Sequence, residues 1–169
     1  MKLKLMTAAA IISLSGSALA DTYVGVGVGQ SNYDIDNFDE PTGLSVYLGE
    51  RVNESLAIEV FYTDFGTAED EIVDEVELSA NTFGGGLLVG VEPAPGTNLF
   101  ATIGVHAWDA EVESDILNLR ADDDGSDIYY GFGGSFQLNP ALSIGARYTN
   151  YELDNDDVSL MSVNLEAFF

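Results

Sequence analysis

LFATIGVHAW, residues Leu99 to Trp108, changes character at every step. Leu99, Ala101, Ile103, Val105 and Ala107 fall on one side of an extended chain, and Phe100, Thr102, Gly104, His106 and Trp108 on the other. Successive side chains of a strand point to opposite faces, so a period of two over ten residues predicts a β-strand. Seven more runs alternate in the same way: Tyr23 to Gln30, Gly43 to Arg51, Leu56 to Phe65, Val76 to Val91, Ile128 to Leu138, Leu142 to Thr149, and Val158 to the C-terminus. The fourth is the least clean, because the triplet Gly84-Gly85-Gly86 obscures its phase and suggests a bulge.

The two faces differ in chemistry. One is apolar, with aromatics near its ends. The other is largely Gly, Ser, Thr, Asn and Tyr with few charges, which makes a poor surface for water but suits a narrow, filled lumen. The apolar face must then meet lipid, where only helices and closed barrels satisfy every backbone hydrogen bond. Runs of about 9–11 residues match tilted strands crossing a bilayer. The expected fold is all-β: an eight-stranded antiparallel up-and-down transmembrane β-barrel.

The connections sort by length. Residues 31–42, 66–75, 109–127 and 152–157 form the longer set, and 51–55, 91–97 and 138–141 the short set on the opposite rim. Long external loops and short periplasmic turns are the outer-membrane arrangement. Twenty-three of the 29 acidic residues lie between Asp34 and Glu40, Asp64 and Glu77, Asp109 and Asp127, or Glu152 and Asp157, all toward the external side.

The first twenty residues read as export machinery. Lys2 and Lys4 precede the apolar Thr7–Leu14, and Ala18-Leu19-Ala20 makes an A-x-A cleavage site. The expected division is a signal peptide over 1–20 and a barrel domain over 21–169. Loss of the two lysines takes the net charge from −24 to −26 and leaves Arg51, Arg120 and Arg147 as the only full-time cations. That balance excludes general attraction to nucleic acid or anionic surfaces. With no Cys, the chain has neither disulfides nor thiolate metal sites.

The stretch GERVNESLAIEVFYTDFG, Gly49 to Gly66, resembles the second turn and third strand of the OmpA-like transmembrane barrel family, in Gly49, Arg51, Asn53, Leu56, Glu59, Tyr62, Asp64 and Gly66. YVGVGVGQSNYD, from Tyr23, is similar to the family's first strand. Phe169, preceded by apolar residues at every second position, resembles the terminal signal read by the outer-membrane assembly machinery. The resemblance implies a Gram-negative outer-membrane location, lipid and lipopolysaccharide neighbours, and a monomer. Because the chain ends at Phe169, the expectation is a barrel without the family's peptidoglycan-binding domain.

The resemblance also implies a lumenal Glu at position 59 paired with an Arg. Parity alone turns Arg147 and Glu166 inward too, and an eight-stranded barrel is narrow enough for the three to form a polar cluster. A buried charge needs such partners. His106, the only histidine, faces inward without a neighbouring serine, and no nucleophile motif accompanies it, so no catalytic residue is assigned. The run Asp122-Asp123-Asp124-Gly125-Ser126-Asp127 has a faint likeness to a calcium loop. Asp122, Asp124 and Asp127 are the weak metal candidates, but the run lacks the EF-hand's alternation and distant Glu. A solvated acidic turn is the simpler reading, with weak Ca²⁺ or Mg²⁺ bridging to lipopolysaccharide phosphates as the alternative. No cofactor is expected. Three functions remain open: a structural or surface-interaction barrel with a largely filled lumen, a small cation-favouring pore, and, ranked last, a lipid A-modifying enzyme.

Overall fold

The computed structural model describes residues 22–33, 39–69, 76–114, 119–154 and 156–169. The segment expected to be a signal peptide lies outside them. Eight strands follow in chain order: β1 (Thr22–Asn32), β2 (Thr42–Asn53), β3 (Leu56–Glu69), β4 (Val76–Ala94), β5 (Thr97–Ser114), β6 (Leu119–Asn139), β7 (Leu142–Leu153) and β8 (Asp156–Phe168). Each pairs antiparallel with the next, and β8 returns to β1, closing an up-and-down barrel.

Closure requires tilt and stagger. The in-register partners of Thr22 run through Glu50, Ile58, Leu87, Ile103, Tyr130, Asn150 and Ser159 and come back to β1 at Asn32, ten residues further along. The barrel is inside-out by the standard of a water-soluble protein: Val105 and Met161 on its outer face are 65% and 68% exposed, while Glu59 inside is 2% exposed. An apolar surface that wraps the whole molecule belongs in hydrocarbon.

The short-connection rim is held by local chemistry. Asn53 Oδ1 accepts from the Ser55 N–H and Asn139 Oδ1 from the Ala141 N–H, each at 2.9 Å. The third turn has Gly96 at φ +75°, with its N–H on Glu92 Oε1 at 2.8 Å. Side-chain oxygens bonding the backbone two to four residues on are what let so few residues reverse a strand.

Three expectations are corrected. The Gly84–Gly86 triplet carries no bulge: its register is continuous with both β3 and β5. The irregularity lies across from Ala80, where Phe65 and Gly66 occupy the space of one residue on β4. Gly66 takes φ +80°, and its N–H is held by Asp64 Oδ1 at 2.9 Å. The left-handed region is open to glycine at little cost, which is why the bulge settles there. Second, 109–127 is not mainly a loop. β5 and β6 stay paired from Asp109↔Asp124 out to Ser114↔Leu119, so β6 spans 21 residues. Its polar composition hid the strand, yet beyond the bilayer a strand can carry polar side chains on both faces. Third, the Asp154 turn is tight: Leu153 pairs directly with Asp156.

Candidate functional site

The lumen is filled by aromatic rings set over glycines. Tyr23 pairs with Gly49 and Tyr47 with Gly25 across β1 and β2, and Phe61 faces Gly84 across β3 and β4. Trp108 faces Gly125, Tyr129 faces Gly104 and Phe100 faces Gly133 across β5 and β6. A Cβ built on any of these glycines would stand 2.1–2.8 Å from an atom of its aromatic partner. Each ring therefore lies flat along the wall in space that a side chain would have taken.

Against this wall sits one charged cluster. Arg147 on β7 grips Glu59 on β3 with both terminal nitrogens, Nη1 to Oε2 at 2.7 Å and Nη2 to Oε1 at 3.0 Å. The Tyr23 hydroxyl donates to the same Oε1 at 2.7 Å. The guanidinium is sandwiched by the rings of Tyr47 and Phe100, at 4.5 and 4.9 Å. This fork geometry is one that Lys could not reproduce. Glu166 on β8 joins through Tyr47, whose hydroxyl donates to it at 3.0 Å, and through Ser143 at 2.7 Å. Six strands thus converge on two carboxylates and one guanidinium.

Glu59, Arg147 and Glu166 all face the lumen at this level. Tyr23, Tyr47 and Ser143 were not singled out from sequence. Their signal was available: all three lie on the inward parity, and both tyrosines sit opposite a glycine.

Above the cluster an aromatic layer crosses the lumen. Phe61 meets Tyr129 edge-on at 4.8 Å, and Tyr151 contacts Phe65 at 5.0 Å, His106 at 5.4 Å and Tyr129 at 5.8 Å. Aromatic pairs favour these offset and edge-to-face arrangements. His106 Nδ1 lies 2.7 Å from Thr82 Oγ1, which is 2.9 Å from the Ala107 carbonyl. The hydroxyl proton serves that carbonyl, so Nδ1 carries the ring proton and Nε2 is left buried without a partner. Toward the external end, the buried Tyr33, Phe65, Leu153, Val158 and Leu160 complete the packing.

The weak metal candidates do not converge. Asp122 and Asp124 are exposed on the outward parity of β6. Asp127 has the opposite parity: its Oδ2 accepts from the Trp108 indole and the Asp154 N–H, both at 3.1 Å. Those two donors hold its carboxyl below the usual range. Among the described residues, no three His, Cys, Asp or Glu side chains are grouped to hold a metal ion. Phe169, 65% exposed, donates its N–H to the Thr22 carbonyl at 3.0 Å.

The fold is similar to that of Neisserial surface protein A, with a TM-score of 0.65 and 13% identity over 91% of this chain and 99% of that one. It is also similar to the attachment invasion locus protein Ail of Yersinia pestis (0.62, 16%, 88% and 97%). A third relative in fold is the N-terminal β-barrel domain of Pseudomonas aeruginosa OprF (0.63, 11%, 87% and 97%). At these identities the likeness concerns the fold alone. No curated protein matches the sequence. The outer membrane protein beta-barrel domain model matches residues 5–169. With lipid-facing walls, a closed eight-strand order and a family match over nearly the whole chain, the protein belongs to the outer membrane β-barrel domain family.

Proposed function

We propose that this protein is a non-catalytic, non-conducting outer-membrane barrel of a Gram-negative cell, with a structural or surface-interaction role carried by its acidic external side. The observation that carries this reading is the packed lumen: the Glu59–Arg147 pair below and the Tyr129–Tyr151–Phe65 stack above occupy the space an ion would need. His106 supports the absence of catalysis, being spent on Thr82 inside an aromatic layer.

The outward carboxylates Asp64 and Asp109 stand just beyond lipid-facing Tyr62 and Ala107. In this reading they meet phosphorylated lipid headgroups through Ca²⁺ or Mg²⁺. Ail has been crystallised in complex with the heparin analogue sucrose octasulfate. With a net charge of −24, the present chain is not suited to such a polyanion, and its ligands are expected to be cationic.

Planar-bilayer recording of the refolded protein tests the reading. No stable open level is expected. Reproducible cation-selective steps would replace it with the small-pore alternative, and acyl release from lipopolysaccharide would replace it with a lipid-modifying one.

Phe169 belongs to the same proposal as the signal read by the assembly machinery. Its deletion is expected to lower outer-membrane yield several-fold while refolding in micelles changes little. Equal yields of the two proteins would remove that role.

A further inference from the structure

The rim of short connections is organised around one arginine. Arg51 has the inward parity of Tyr47 and Gly49 on β2 and stands opposite the buried Ala57 of β3. Of the three arginines it alone lies at this end, since Arg147 belongs to the lumen cluster and Arg120 to the far end of β6. Its guanidinium lies over the Phe168 ring, 4.7 Å from the centroid. Phe168 is itself fixed, by its N–H on the Ala141 carbonyl at 3.0 Å and by the Tyr23 ring at 5.4 Å. The inward face of β8 runs Ser162, Asn164, Glu166 and then Phe168. An aromatic at a watery mouth breaks that polar pattern, and here it is the platform that holds a cation. Stacking occupies the flat face of the guanidinium and leaves its N–H edge. Among the described residues, no hydrogen bond or ion pair occupies that edge.

A cleft opens on each side of Arg51, one of about 50 Å³ and one of about 60 Å³. Arg51, Glu92 and Asn98 line both, and Ser135, Gln137 and Ser143 line the first. The backbone aims these side chains. Each of the three short hairpins has one register shift: after Arg51 on β2, at Glu92 and Pro93 opposite Asn98, and after Gln137 on β6. Bulges at a barrel rim re-aim the side chains beside them.

The groups that result are complementary to one kind of ligand. The Arg51 edge is a planar fork suited to an oxyanion. Ser143 gives its proton to Glu166 at 2.7 Å, so to the cleft it offers only lone pairs. The Asn98 and Gln137 amides both donate and accept. A carboxylate with an N–H beside it satisfies all of them. Glu92, which holds the Gly96 N–H at 2.8 Å, and Glu54 in the second cleft add negative charge. That charge opposes a phosphate dianion and favours a monoanion that carries its own ammonium or amide. Each cleft has about the volume of two waters. That admits a carboxylate or an amide but excludes a sugar ring.

We propose that the mouth on the short-connection rim binds the α-carboxylate of an amino acid or of a peptide C-terminus. Arg51 is the fork for the carboxylate, and Ser143, Asn98 and Gln137 take the adjoining N–H groups. Phe168 positions the fork. This rim is opposite the acidic external side, and the proposal is independent of the filled-lumen reading, which conductance tests separately.

The test uses the full barrel refolded in lipid nanodiscs, with ¹⁵N-labelled arginine. Three arginines give three sets of side-chain signals. The Arg51 signal is followed as alanine, alanyl-alanine, alanyl-alanine amide, acetate or inorganic phosphate is added. Alanine or alanyl-alanine is expected to shift it saturably, while the signals of Arg120 and Arg147 stay in place. The amide, acetate and phosphate should each bind at least tenfold more weakly than the better of the two. Tighter binding of alanyl-alanine would identify the source as a peptide end, and tighter binding of alanine as a free amino acid. Arg51→Lys keeps the charge and loses the fork. Followed through the backbone amide of Asn98, it should weaken binding at least tenfold in a protein whose unboiled gel band is still compact. Phe168→Leu should weaken it several-fold.

Equal affinity for acetate or phosphate would reduce the effect to simple charge attraction and overturn the proposal. So would equal affinity for the amide, full binding by Arg51→Lys, or failure of both alanine and alanyl-alanine to move the Arg51 signal.

Discussion

Arg147→Met will lower the unfolding free energy by about 3–5 kcal/mol, the loss typical of a buried ion pair with one partner removed. Glu59 is 2% exposed and the Arg147 side chain 12%. Methionine fills much of the same volume between Tyr47 and Phe100, so lost packing is small. What remains is a carboxylate with only the Tyr23 hydroxyl for company. Glu59→Gln should cost less, because the guanidinium keeps both ring faces. The double variant E59Q/R147M should recover part of the loss, since neither charge is then stranded. Urea titrations of the refolded proteins, run as a double-mutant cycle, give the coupling directly. A loss within about 1 kcal/mol for Arg147→Met, the range of a solvent-exposed pair, would mean that water reaches the pair freely.

Gly104→Val will prevent the barrel from closing. Valine is among the best strand formers, so propensity alone favours the change. Space decides otherwise. A Cβ at Gly104 would lie 2.3 Å from the Gly85 carbonyl oxygen, 2.6 Å from the Gly86 Cα and 2.6 Å from the Tyr129 ring. Two of those atoms are backbone in the adjacent strand and cannot step aside without breaking the ladder. Overpacking of this kind costs about 1–3 kcal/mol, and more where backbone must shift. The gel band of the compact, unboiled protein should be largely lost. Gly134→Ala is the control. Its Cβ would meet the end of the flexible Leu99 side chain at 2.9 Å and the Asn98 carbonyl at 3.2 Å on the lipid face, and the compact band should persist. If both variants refold equally well, close approach at Gly104 is not what shapes the wall.

The strands were legible because alternation is local: Leu99 to Trp108 reveals its two faces without knowledge of any other residue. Parity also turned Glu59, Arg147 and Glu166 inward. It could not set their heights, which follow from the ten-residue stagger of the closed barrel. The ends of β5 and β6 were misread because Asp, Gly and Ser mark loops by composition, while pairing between two polar strands is a tertiary matter. The glycine triplet was read as a distortion for want of its partners. Gly84 is there for Phe61, and Gly86 for Tyr129 and the close approach of Gly104. Nothing within residues 76–91 reveals that.

The ladder joining β1 to β8 bonds Val24 to Ala167 and Tyr23 to Phe168, nearly the full length of the described chain apart. Every other ladder joins neighbours in sequence and can form as soon as its hairpin exists. The seam cannot. Closing a loop of that length carries the largest entropic cost of any pairing in the molecule, and contacts so distant in sequence slow folding. Until the last strand is available, the sheet is an open ribbon with two bare edges and an apolar face. The first strand must therefore wait, extended and shielded by something other than its own partner, for the whole time the rest of the chain takes to arrive.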